Sequence, residues 1–214
     1  MEKITMYFDF ISPYAYLAFK THRNVLGDNV DVEYRPILFA GLLNHHGQLG
    51  PAEIDGKREW TFRQSLWEGR ESGVCVQLPV SHPFNPLPFL RLAIASSESG
   101  KPSYDACEAI FDFVWNTGKD LTTEDSITEI HQVVKPVRDI TDPDVKAQLR
   151  VDTERAIEEG VFGVPCFCHK EKVFWGKDSI KMLKAHIEGD SWFEKHWDSA
   201  NEISVGIKRT KRKW

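Results

Sequence analysis

No Cys-x-x-Cys pair occurs in this chain, and its four cysteines, Cys75, Cys107, Cys166 and Cys168, do not make a secreted disulfide framework in 214 residues. A reducing, cytoplasmic setting fits that usage. Long apolar runs are also missing: nothing approaches the ~18 consecutive apolar residues of a membrane span. The N-terminal apolar stretch is broken by Asp9 and Pro13 and does not read as a signal peptide. Acidic residues outnumber basic ones, 32 to 27, for a net charge of -5, so no field gathers nucleic acid. The one basic run, Lys208, Arg209, Lys211, Arg212 and Lys213, reads as a solvated tail. There is no GxGxxG, no P-loop and no GxSxG, which leaves nucleotide-binding and α/β-hydrolase readings without support. Cys166, Cys168 and His169 lack the spacing of a structural zinc site, so no metal is expected. Low-complexity tracts are absent as well. With 41% hydrophobic and 28% charged residues, the chain is an ordinary globular protein, long enough to bury a core of its own.

What is present is a strongly ordered pattern. Ile4, Met6, Phe8 and Phe10 alternate with Thr5, Tyr7 and Asp9, the period of a strand with at least one buried face. Ser12 as N-cap and Pro13 as first helical residue then open a helix whose run Tyr14 to Phe19 should pack on a sheet. Gly27 closes it. Val30, Val32 and Tyr34 alternate with charged residues in a second strand, so the first 36 residues spell the β-α-β unit of a parallel sheet. From about Leu43 to Glu159 strand signals vanish and helix starts repeat, at Asn85-Pro86, Ser103, Thr122 and Asp142-Pro143, with stops at Gly100, Gly118 and Gly160. Val164 to Cys168 and Val173 to Trp175, joined by the charged turn His169-Lys170-Glu171-Lys172, then read as a hairpin. A last helix starts at Asp178, carries Ile180, Leu183 and Ile187 on one face, and stops at Gly189. Joining the two ends gives one small mixed sheet flanked by helices and interrupted by a helical block.

Four motifs in order, Phe8-Asp9-Phe10-Ile11-Ser12-Pro13-Tyr14, His82-Pro83-Phe84-Asn85-Pro86, Gly163-Val164-Pro165 and Trp175-Gly176-Lys177-Asp178, closely resemble those of the 2-hydroxychromene-2-carboxylate isomerases and the kappa-class glutathione transferases. The resemblance runs nearly to Gly189. It implies an α/β chain with a thioredoxin-like fold of the DsbA kind interrupted by an all-helical insertion: residues 1–42 and 160–214 form the thioredoxin-like domain and 43–159 the insertion.

The resemblance also implies roles, each set beside a plainer alternative. Ser12 stands where a thioredoxin carries its first redox cysteine, and with Ala15 at the other end of the turn, disulfide exchange has no thiol to start from. The thiol must come from outside, and glutathione is implied as cofactor. Its sulfur would meet the N-terminus of the Ser12 helix and the Ser12 hydroxyl, the catalytic group; otherwise Ser12 is only a cap. Val164 and Pro165 resemble the cis-proline turn that pairs with an extended peptide, and Asp178 would receive the γ-glutamyl ammonium unless it simply caps its helix. Lys177 and Gln48 occupy neighbouring cofactor positions but depart from the residues common in relatives. Lys57 would meet a carboxylate of the tripeptide or of the substrate; its plainer reading is a solvated lysine. Asn85 would face the organic substrate, or merely start a helix before Pro86. Tyr14, Tyr16, Trp60, Phe84 and Phe89 could wall an aromatic pocket or belong to the core.

The function so implied is a glutathione-dependent isomerase of aromatic degradation, active as a homodimer on a small aromatic substrate, without nucleic acid or membrane partners. Alternatives are a kappa-class transferase that conjugates electrophiles, and a DsbA-like binding protein without redox cysteines that clamps a peptide at Val164-Pro165.

Overall fold

The computed structural model describes residues 1–207, and the basic run from Lys208 onward lies outside them. Strand β1 (Glu2–Phe8) leads into helix α1 (Pro13–Leu26) and then strand β2 (Val30–Pro36). β1 and β2 pair in parallel from Glu2↔Val30 to Phe8↔Pro36. The chain then leaves the sheet through α2 (Phe39–His46), α3 (Lys57–Ser72), α4 (Leu87–Ala95), α5 (Tyr104–Trp115), α6 (Glu124–Val134) and α7 (Pro143–Glu158). It returns as the antiparallel pair β3 (Cys166–His169) and β4 (Lys172–Trp175), followed by α8 (Ile180–Ile187) and the short α9 (Trp192–His196). The sheet order is β2-β1-β3-β4, with β1 at its centre between a parallel and an antiparallel neighbour.

The alternation of β1 explains how this sheet is covered. Its even residues Ile4, Met6 and Phe8 enter the main core with α1, α8 and the helices of the insertion. Its odd residue Tyr7 enters a second cluster with Ile37, Leu42, Ala156, Val161 and Cys166, beneath α2 and α7. A strand that buries both faces needs helices on both, and the insertion supplies the second layer. The insertion is bolted on by charge as well as by apolar packing. Arg35 of β2 pairs with Asp152 of α7 and with Glu33, while Gln148 donates to the other Asp152 oxygen at 2.9 Å.

Several boundaries differ from the sequence reading. Thr123, one residue after Thr122, caps α6, its side chain accepting from the Ser126 N–H. The third strand begins at Cys166, with Val164-Pro165 as a cis-peptide lead-in. Only Lys170 and Glu171 form the hairpin turn, both with positive φ, as a two-residue turn between twisted strands demands. Asp178 does not cap the last helix: Lys177–Ser179 form a 3-10 turn and α8 starts at Ile180 after Ser179. α2 spans residues 39–46 and so crosses the 42/43 division expected between domains.

Candidate active site

The link between β1 and α1 is pinned at every step. Ser12 N–H donates to the Asp9 carbonyl at 3.1 Å, and Ile11 N–H donates to the Asp9 carboxylate at 3.1 Å. The second Asp9 oxygen accepts from Phe39 N–H, the first amide of α2, at 2.9 Å. Asp9 therefore holds the approach to α1 and the start of α2 with one carboxylate, which is completely buried. Burial pushes its carboxyl up to about 7, against the two amides that favour the anion.

Ser12 has the extended backbone of an N-cap, and its Oγ accepts from Ala15 N–H at 3.2 Å. A hydroxyl has one proton and two lone pairs, so accepting from Ala15 leaves the Ser12 O–H free to donate. Pro13 brings no N–H to the first turn, and no partner engages Tyr14 N–H among the described residues. The helix end thus offers a hydroxyl and a backbone amide to an anion, backed by the positive end of the α1 dipole.

The facing bank comes from the other half of the thioredoxin-like unit. Tyr7 of β1 pairs with Cys166 of β3, so Ser12 and Val164-Pro165 emerge at the same end of the sheet. No hydrogen bond outside the strand ladders engages the Val164 N–H or C=O among the described residues. Gly176 N–H donates to the Pro165 carbonyl at 2.9 Å and brings the Lys177–Asp178 turn alongside, where it packs on α1. Glycine is required twice here. A Cβ at Gly163 would stand 2.7 Å from the Trp175 indole nitrogen, and Gly176 has a φ of +91° with its Cβ position 2.5 Å from Asp178 Oδ1.

A domain profile described as DSBA-like thioredoxin matches residues 3–188. The chain belongs to the DsbA-like thioredoxin family. It is similar to human glutathione S-transferase kappa 1, 24% identical over 88% of this chain and 92% of the relative. It is equally similar to a 2-hydroxychromene-2-carboxylate isomerase of Sphingobium xenophagum, 24% identical over 87% of this chain and 98% of the relative. A solved 2-hydroxychromene-2-carboxylate isomerase superposes with a TM-score of 0.75 at 19% identity, covering 95% of this chain and all of that one. The thioredoxin-like fold expected from the motifs is the observed one.

In this DsbA-like chain the structure brings Ser12, Val164, Pro165, Lys177 and Asp178 to one end of the sheet. Gln48, Lys57 and Asn85 are tied in less closely. Gln48 is exposed just past α2, its N–H bonded to the Leu43 carbonyl at 2.9 Å. Lys57 is the exposed first residue of α3. Asn85 is exposed, and its side chain accepts from Leu87 N–H at 3.1 Å, which is the helix-start role. Among the aromatics, Tyr16, Phe84 and Phe89 are core, Trp60 is 60% exposed on α3, and Tyr14 donates its hydroxyl to Gln64 at 2.9 Å.

Other residues of the site carry no motif that a sequence reader would notice. Gln64 passes the Tyr14 contact on to Glu68 at 3.0 Å, and Glu68 binds the Lys177 ammonium at 3.0 Å. Tyr14-Gln64-Glu68-Lys177 is therefore a polar strap from the first turn of α1, across α3, to the Asp178 turn. Two open recesses lie elsewhere: about 250 Å³ around His22, Arg23 and Tyr34 at the far end of α1, and about 520 Å³ around Lys3, Cys168 and Lys172 on the sheet. Neither touches Ser12. No helix among the described residues is long and apolar enough to cross a membrane.

Proposed function

We propose that this chain is a glutathione-dependent isomerase acting on a chromene-like aromatic substrate, in the cytoplasm and as a homodimer. The observation that carries the reading is the state of Ser12: its oxygen is used by the helix and its proton is not. The residues present suit the tripeptide. Ser12 O–H and Tyr14 N–H would meet its sulfur, the Val164 main chain its cysteinyl portion, and Asp178 its ammonium. Lys177 and Gln48 would take neighbouring positions along the tripeptide, Lys57 would meet a carboxylate of the tripeptide or of the substrate, and Asn85 would face the substrate.

Glutathione, when bound, would supply a nucleophilic thiolate for reversible addition to an electron-poor conjugated carbon, which frees rotation about the bond that becomes single. The task of the chain is to keep that sulfur ionised. A free thiol of pKa ~8.5 needs roughly 2 kcal/mol to reach ~7. A helix N-terminus supplies ~0.3–1 kcal/mol, and a hydrogen bond to a charged group about 1.5–3 kcal/mol. The two together suffice, and the helix alone does not. Ser12→Ala should therefore cost turnover far more than glutathione binding. Equal activity in the variant would remove Ser12 from the mechanism.

A kappa-class transferase uses the same thiolate, and the similarity to human glutathione S-transferase kappa 1 favours that second reading. Product analysis separates the two. An isomerase returns all its glutathione, whereas a transferase consumes one molecule per turnover.

A further inference from the structure

Two neighbouring carbonyls of the loop before Ser12 are held by ring nitrogens from the helical insertion. Phe10 C=O accepts from the Trp115 indole N–H at 2.8 Å, and Ile11 C=O lies 2.9 Å from His82 Nε2. A carbonyl cannot donate, so Nε2 carries the imidazole proton and Nδ1 is a bare lone pair. Nδ1 is buried and has no partner among the described residues. The ring sits edge-on to Phe62 of α3 at 5.2 Å and to Phe84 at 5.9 Å, and tilted against Trp115 of α5 at 5.9 Å. Its backbone carbonyl accepts from Arg58 of α3 at 3.0 Å. The charged group that acts on the ring is Arg58 of α3, and α5 presents the neutral Trp115. Burial, opposed by the Ile11 hydrogen bond and reinforced by Arg58, holds the imidazole below its usual range.

The Ile11 carbonyl belongs to the same peptide unit as Ser12 N–H, which bonds the Asp9 carbonyl. Rotation of that plane would turn the Ser12 hydroxyl and the first turn of α1 together, and an active constellation tolerates only about 0.5 Å of error. We propose that His82 is a positioning residue for Ser12, its Nε2–H fixing the Ile11–Ser12 peptide so that the serine hydroxyl is aimed at the reacting sulfur. This rests on the thiolate reading of Ser12 given above.

A ring packed among aromatics has an ordinary structural role as well, and two substitutions separate the roles. His82→Phe keeps the aromatic packing and loses the donor; His82→Gln keeps a donor at the same reach and loses the ring. The experiment titrates the ultraviolet thiolate absorbance of reduced glutathione bound to full-length wild type and to each variant, with kcat and KM measured in parallel. Wild type should ionise the thiol well below its free range. His82→Phe should raise that midpoint by about one unit, with up to about tenfold less thiolate below it, and lower kcat more than it raises KM. His82→Gln should restore most of both. A Phe variant as good as wild type beside an impaired Gln variant would overturn the proposal and leave His82 as packing. In the unmutated protein, the 15N shifts of His82 should show the neutral Nε2–H tautomer, and an Nδ1–H ring would equally overturn it. No thiolate band in wild type would remove the Ser12 reading itself, and this role with it. A wild-type band that neither variant shifts would remove the His82 role alone.

Discussion

Asp9 should make the protein less stable as the pH rises from about 4 towards neutrality. Its carboxylate is fully buried, and burial raises its pKa from an ordinary 3.8 to about 7. An acid whose folded pKa lies above its unfolded value binds its proton more tightly in the folded state. The stability it contributes is therefore complete below about pH 4 and drains away as the pH climbs to about 7. Between pH 5 and pH 8 the loss covers roughly two units, at 1.36 kcal/mol each, or about 3 kcal/mol. Urea unfolding of wild type and Asp9→Asn at both pH values isolates this group, because the buried histidines contribute to both proteins alike. Asparagine keeps one acceptor, as the protonated acid does, so at acid pH the variant should lie within about 1 kcal/mol of wild type. Wild type should lose about 3 kcal/mol more than the variant over the interval. Parallel pH slopes would refute the reasoning and mean that the two amides keep Asp9 ionised in the acid range.

Ser12→Ala should lower turnover roughly 10- to 100-fold, the worth of one hydrogen bond to a charged sulfur, and should cost about 1 kcal/mol in the melt as a lost cap. Asp152→Ala leaves Arg35 buried without its α7 partner, and chemical denaturation should register a loss of about 3–5 kcal/mol. Glu68→Gln frees Lys177 at a surface cost below about 1 kcal/mol, and glutathione affinity measured by calorimetry should rise by up to about fivefold. Unchanged affinity there would assign Lys177 to the strap alone. Gly163→Ala drives a methyl into the Trp175 indole and should weaken glutathione binding while leaving the fold intact, as circular dichroism would check.

The parts of the fold that were legible in the sequence are those whose local signals agree with the tertiary outcome. Ser12-Pro13, Ser103 and Asp142-Pro143 announce helices because their side chains do cap them. The alternation of β1 predicts its pleat, although only the structure shows that Tyr7 meets a second apolar cluster. α3 is not legible in the sequence because its periodicity is weak: it starts after Gly56 without a capping side chain, buries only Ser65 and Gly69, and exposes Trp60, Leu66 and Trp67. The site shows the same division. Ser12, Val164-Pro165 and Lys177-Asp178 lie in short contiguous motifs, whereas Asp9 to Phe39, Ile11 to His82 and Glu68 to Lys177 are contacts across 30, 71 and 109 positions. Propensity and periodicity act over one or two turns of chain and carry no information at those separations.

The most direct test of the central claim is calorimetric titration of the full-length protein with reduced glutathione in buffers of differing ionisation enthalpy, with S-methyl glutathione as control. The account predicts micromolar to low-millimolar binding with release of a proton that the S-methyl analogue does not release. Binding without proton release, or no binding at all, would contradict it.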